Sequence, residues 1–224
     1  MNSPLDSDLI KCILAEDDAG FDQIFPDRIR ALSRVHWTPL AVVRKAAAFL
    51  VQTPRTRVLD LGCGPGKFCI AGALFTEGSF SGVEQRRRLC QIAWKIIKTQ
   101  RLANTEIFHA PINALSFSNF DAFYLFNPFA EHLPSAVQDR IDDTIDLSES
   151  RYDQSVLHVS TELRKAPWGT RVVTYCGSDD VIPSDYECVV GDLHGKLRFW
   201  EKRANRKHSG QGKSMEVMSA LTTL

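Results

Sequence analysis

From Val58 onwards the chain alternates short strand-length apolar runs with longer segments of helical spacing. Ala122–Phe126 is continuously apolar, the pattern of a strand covered on both faces, and Arg57–Leu61 reads as a buried strand that ends in an acid. Ser79–Glu84, Glu106–His109 and Thr170–Cys176 read as further strands. Between them Lys67–Phe75 is apolar and helix-compatible. Gln85–Gln100 places Leu89, Ile92, Ala93, Ile96 and Ile97 on one stripe, with Arg86, Arg87, Arg88, Lys95 and Lys98 mostly elsewhere on what reads as a solvated face. Ser135–Asp146 and Tyr152–Arg164 read as helices. Trp168-Gly169 marks a turn, and Tyr186–Val190 with Lys196–Glu201, joined across Asp192–Gly195, reads as an antiparallel hairpin. The alternation predicts an α/β fold: a doubly wound, mostly parallel seven-stranded sheet with an antiparallel C-terminal hairpin.

The flanks divide the chain further. Residues 1–35 carry two short apolar clusters, Leu9, Ile10, Ile13 and Leu14, then Phe21, Ile24 and Phe25. They read as an N-terminal helical extension that caps a ligand site. Thr38 and Pro39 open the next helix, Thr38 as its cap, with Leu40, Val43, Ala47 and Leu50 on one face. The main domain is expected over residues 36–201, and 202–224 reads as a basic, mobile tail. No internal repeat is present.

Composition narrows the function classes. The 224 residues balance 27 basic against 27 acidic side chains, so no whole-molecule field draws the protein to nucleic acid or an anionic membrane. No apolar stretch approaches the roughly 18 residues a membrane helix needs, and the first residues lack a leader pattern, so a cytoplasmic protein without membrane partners is expected. Six cysteines contain no Cys-x-x-Cys pair, and no metal site is expected. Cys63, beside a helix start, is the one candidate nucleophile.

The chemistry concentrates at Val58-Leu59-Asp60-Leu61-Gly62-Cys63-Gly64-Pro65-Gly66. A strand, a glycine turn and a helix start let backbone N–H groups approach a ligand closely. The dinucleotide spacing Gly-x-Gly-x-x-Gly fails in both frames, ending on Lys67 or Cys69, and Phe68 stands where a phosphate-binding P-loop needs Ser or Thr. The remaining pattern, Asp60 with Gly62, Gly64 and Gly66, resembles the first motif of class I S-adenosylmethionine (SAM) dependent methyltransferases. An acid at the strand tip suits a cofactor carrying a sulfonium and an ammonium. The resemblance implies a second acid at the end of the next strand, binding both ribose hydroxyls, and Glu84 stands about 20 residues beyond the glycines.

Asn127-Pro128-Phe129, after Ala122–Phe126, resembles the fourth motif of the nitrogen-methylating members. The resemblance implies that Asn127 accepts from the target N–H and that Phe129 stacks on the acceptor. The second proline of the common form is missing, which counts against a flipped adenine or a glutamine amide. The run Tyr124-Leu125-Phe126-Asn127-Pro128-Phe129 is also similar to poorly characterised bacterial class I methyltransferases, distantly similar to non-SET histone lysine methyltransferases. The resemblance covers roughly residues 36–201. In the adenine loop Ala110-Pro111-Ile112-Asn113-Ala114, Pro111 occupies the usual acidic position, leaving Asn113 as the polar candidate. Thr38 is read both as helix cap and as a contact to the methionine end. Glu131 and His132 read as an unpaired surface pair or as a base. The expected activity is SAM-dependent methylation of a nitrogen on a protein side chain or small molecule. The alternatives are a nucleic-acid amino-methyltransferase and a non-catalytic SAM-binding scaffold.

Overall fold

A computed structural model describes residues 6–133, 140–142, 144–177 and 179–204. Seven strands form one sheet: β1 (Arg57–Leu61), β2 (Ser79–Glu84), β3 (Thr105–His109), β4 (Ala122–Phe126), β5 (Arg171–Tyr175), β6 (Tyr186–Asp192) and β7 (Leu197–Lys202), in the order β3-β2-β1-β4-β5-β7-β6. The five strands from β3 to β5 run parallel, whereas β7 is antiparallel to both β5 and β6. The order reverses at β1 and β4, so their carboxyl ends open a crevice there, the usual ligand position in such sheets.

Alternation along each strand separates two apolar layers. Val58, Phe80, Tyr124 and Val173 face α5 (Leu40–Leu50), α6 (Lys67–Phe75) and α7 (Arg87–Gln100). Leu59, Val83, Phe123, Leu125 and Val172 face α8 (Glu149–Lys165) and the turns at Ile112–Ala114 and Phe117–Asn119. Tyr124 is fully buried, stacked on Phe68 with ring centroids 3.7 Å apart.

The N-terminal helices α1 (Ser7–Ala15), α2 (Asp18–Phe21), α3 (Asp27–Arg30) and α4 (Ser33–His36) belong to the same packing. Leu9, Ile13, Phe21, Phe25 and Ile29 are buried in the layer that α5 and α6 share. An ion pair fastens them. The Lys67 ammonium, at the start of α6 and 2% exposed, lies 2.6 Å from Asp18 and 2.8 Å from Asp22.

Four expectations change. Thr38 does not cap α5; its hydroxyl bonds the Tyr124 hydroxyl at 2.9 Å, and Asp18 accepts from the Leu40 N–H instead. Of the expected helix Ser135–Asp146, the described residues 140–142 and 144–146 are not helical, and the rest lies outside the described residues. Lys202 belongs to β7 rather than a tail: buried, it donates to the carbonyls of Leu163, Arg164 and Ala166 at the end of α8. Residues 205–224 of the expected tail lie outside the described residues. Arg86 is 5% exposed, not solvated. An arginine can be buried where carboxylates meet its fork, and two do so here.

Candidate active site

The glycine turn is folded back onto β2. Gly62 and Cys63 both donate to the Val83 carbonyl at 3.0 Å, and Gly64 donates to the Glu84 carboxylate at 3.1 Å. The other Glu84 oxygen accepts from the Arg86 N–H at 2.7 Å. Two backbone donors thus fix the carboxylate, and each oxygen keeps a second lone pair for a ligand hydroxyl. Glu84 is 5% exposed; burial pushes its pKa up, and the Arg86 hydrogen bond and charge pull the other way. Beyond it the Arg86 guanidinium lies 2.6 Å from Glu131 and 3.0 Å from Asp142, tying the segment after β4 to the start of α7.

These groups line a cavity of about 240 Å³ at the carboxyl ends of β1, β2 and β4. Gly62, Gly64, Glu84, Asn113 and Asn127 all face it, so five of the expected site residues from four separate loops meet in one place. Gly64 has a positive φ of 55°, and a Cβ there would come within 2.5 Å of the Trp37 ring. Trp37 is buried, donates to the Ile29 carbonyl at 2.9 Å, and roofs the glycine turn together with the cavity-lining His36 and Val35.

Of the other expected residues, Asp60, Cys63, Gly66 and Thr38 lie outside the lining, whereas Phe129, Glu131 and His132 are part of it. Asp60 is buried within β1, outside the cavity lining, and accepts a long contact from the Cys69 thiol at 3.8 Å. Burial pushes its pKa well up. Gly66 starts α6 and a Cβ there would press on Ala93 at 3.2 Å, so it serves the packing of α6 on α7. Thr38 is turned to Tyr124, away from the lining residues. The Cys63 thiol is buried with its pKa raised well above the ordinary range by desolvation, which removes it as a nucleophile. Glu131 and His132 are not an unpaired surface pair: Glu131 is held by Arg86 and the Ile141 N–H, and His132 is buried. Phe129 is buried edge-on against Tyr152. Phe129 and Phe126 both line the cavity, and Phe126 packs on Tyr175 with ring centroids 4.7 Å apart.

Trp37 and Arg86 are the site residues that sequence reasoning missed. Arg86 carried one signal, its place two residues after the ribose candidate, where its backbone reaches Glu84. Trp37 lies in the run His36-Trp37-Thr38-Pro39 expected at the methionine end, but Thr38 is the candidate read there, because the contact of Trp37 with Gly64 depends on how α4 and α5 pack. Among the described residues no cluster of His, Cys, Asp or Glu is arranged to hold a metal ion.

A seven-stranded sheet with this order and a glycine–acid cofactor crevice define a class I SAM-dependent methyltransferase fold. Comparison with protein families agrees: residues 58–146 match the methyltransferase domain. The chain is a SAM-dependent methyltransferase. Among solved structures it is similar to an RNA methyltransferase from Salinibacter ruber in complex with S-adenosylhomocysteine, at 19% identity and TM-score 0.51, covering 79% of this chain and 99% of that one. It is also similar to a mutant of MtNAS in complex with SAM, at 14% identity and TM-score 0.51, covering 87% of this chain and 73% of that one. These two likenesses concern the fold. A comparison with the curated proteins finds no match.

Proposed function

We propose that the protein methylates a nitrogen of a protein side chain or small molecule, with Asn127 orienting the acceptor and Glu84 anchoring the cofactor ribose. The observation that carries this reading is Asn127 itself. It is exposed at the end of β4, lines the cavity, and holds φ at 40°, a left-handed turn conformation that asparagine tolerates better than most side chains. Beside it the Phe126–Tyr175 pair offers an aromatic surface to a flat or cationic acceptor. Asn113 is proposed to contact the adenine. Gly62 and Gly64 pass the cofactor close to the backbone, with Trp37 above. Asp60, Gly66 and Thr38 support the turn from behind.

SAM supplies a methyl group on a sulfonium with a good leaving group already in place. The chain's residues therefore align, desolvate and select. Asn127 accepts from the acceptor N–H, which turns the nitrogen lone pair toward the cavity. The Trp37 roof and the Phe126 wall exclude water. The nitrogen gives up its proton to solvent after the C–S bond has broken.

We further propose that residues 1–35 act as a cap over this site, supported by the ion pairs of Lys67 with Asp18 and Asp22. A cytoplasmic location is supported by six free cysteines. Among the described residues no helix is long and apolar enough to cross a membrane. A second reading, a nucleic-acid amino-methyltransferase, draws on Asn127-Pro128-Phe129 and the likeness to the S. ruber RNA enzyme, against a net charge of zero.

Methyl-labelled SAM incubated with fractionated cell lysate tests the reading. Label stable to alkali in the protein or small-molecule fraction is expected. Label in the nucleic-acid fraction, or alkali-labile label on carboxylates, would overturn it.

A further inference from the structure

The part of the cavity lining near Glu84 and Arg86 carries side chains unlike the rest. Asn127 lies by Gly62 and Gly177, where the Gly62 backbone meets Pro128. The lining also includes Gln85, Arg86 and Ala110–Asn113 together with His132, Ile141, Arg151 and Ser155. Arg86 binds Glu131, the neighbour of His132, and α8 packs against both the 112–114 and the 130–132 turns. With the ribose on Glu84, this is where the cofactor's base lies. The inference rests on that part of the proposed reading.

An adenine presents an exocyclic amino group, which needs a hydrogen-bond acceptor. In the loop after β3, Ala110, Pro111 and Ile112 offer no polar side chain, and Asn113 is the one that does. The two cations in this part of the lining donate only, and both are already engaged, Arg86 by Glu131 and Asp142, and Arg151 by Asp146 at 2.7 Å. His132 is different. Its residue is 5% exposed, yet it lines the cavity. Its Nδ1 is fully enclosed with no hydrogen-bond partner of good geometry, and the Ser148 backbone is the hydrogen-bonding group that acts on the ring. With Nδ1 enclosed, Nε2 is the nitrogen left to the cavity.

We infer that His132 is a specificity-determining residue for the cofactor, its Nε2 accepting from the exocyclic amino group of adenine while the proton rests on the enclosed Nδ1. A purine carrying an oxygen at that position turns an acceptor toward the same lone pair and is rejected. The ring's surroundings keep it neutral, as the role demands. Burial lowers its pKa; Arg86 before α7 and Arg151 on α8 push the same way, while Glu131 next to it and the Ser148 backbone oppose them. Acidification protonates Nε2 and removes the acceptor, so cofactor affinity falls at the pH where this histidine titrates.

Calorimetric titration with S-adenosylhomocysteine and with S-inosylhomocysteine tests this. Wild type is expected to bind the adenosyl compound at least about tenfold tighter, the scale of one hydrogen bond plus an unmade partner. His132→Phe should lower adenosyl affinity about tenfold and leave inosyl affinity unchanged, collapsing the ratio toward one. His132→Gln, whose amide accepts from one base and donates to the other, should bind both compounds with similar affinity and lose the acid sensitivity. Circular dichroism confirms folding, and His132→Gln carries the test should the phenylalanine variant not fold. A wild type that binds both compounds equally overturns the inference and leaves the cofactor reading standing, as does full discrimination in folded variants. Binding of neither compound overturns both.

Discussion

Glu84 is held by two backbone donors before any ligand arrives, which sets its carboxylate in place without reorganisation. Glu84→Ala should weaken SAM binding by roughly ten- to a hundredfold, the worth of charge-assisted bonds to two hydroxyls, measured by calorimetry on the folded variant. Gly64→Ala should also lose SAM, because its methyl group collides with Trp37 and the positive φ disfavours any side chain. Asp60 makes a prediction of the opposite kind. Burial raises its pKa in the folded state, so the native protein holds that proton longer than the unfolded chain. Its contribution to stability therefore falls as pH rises from the ordinary carboxylate range toward the folded value, and the penalty persists above it. Asp60→Asn should melt higher than wild type near neutral pH, with the gap closing at about pH 4. A melting difference independent of pH would contradict this. Glu84, Gly62, Gly64 and Asn127 were legible in the sequence because each stands at a strand end, where local spacing decides position. Trp37, Arg86 and the burial of His132 were not, since contacts across the fold create them.

At the scale of elements, Lys67 joins the start of α6 to α2 and to the turn that follows it. Its ammonium is 2% exposed, and Asp22 beside it is buried as well. Lys67→Met should destabilise the domain by about 3–5 kcal/mol in urea unfolding, because it strands a buried carboxylate. Lys67→Met with Asp22→Asn should recover much of that loss, and a double variant as unstable as the sum of the singles would refute the pairing. The same contact seats the helices leading to Trp37, so the single variant should bind SAM more weakly too. Strand positions were readable because runs such as Ala122–Phe126 are covered on both faces, and β1, β2, β4 and α6 fall where the pattern put them. The expected helix Ser135–Asp146 failed on its described residues for a physical reason. Asp142 there is spent on Arg86 and on the Thr144 hydroxyl, and the Ile141 N–H on Glu131, bonds that compete with helical ones.

For the whole molecule, the neutral charge leaves recognition to the shape and chemistry of the cavity mouth rather than to a long-range field. The fold is shared by enzymes of many substrates, so on the proposed reading the acceptor depends on what meets Asn127 and Phe126 at the end of β4. The most direct test separates cofactor binding from transfer. Single-turnover transfer from methyl-labelled SAM, to an acceptor found in lysate or to the protein itself, is compared for wild type and Asn127→Ala alongside calorimetric SAM affinity. The account predicts SAM affinity within about twofold of wild type and transfer slowed by about a hundredfold, the scale of one lost partner in the transition state. Equal transfer by the two proteins at matched folded concentration would contradict it and move the reacting nitrogen away from the end of β4.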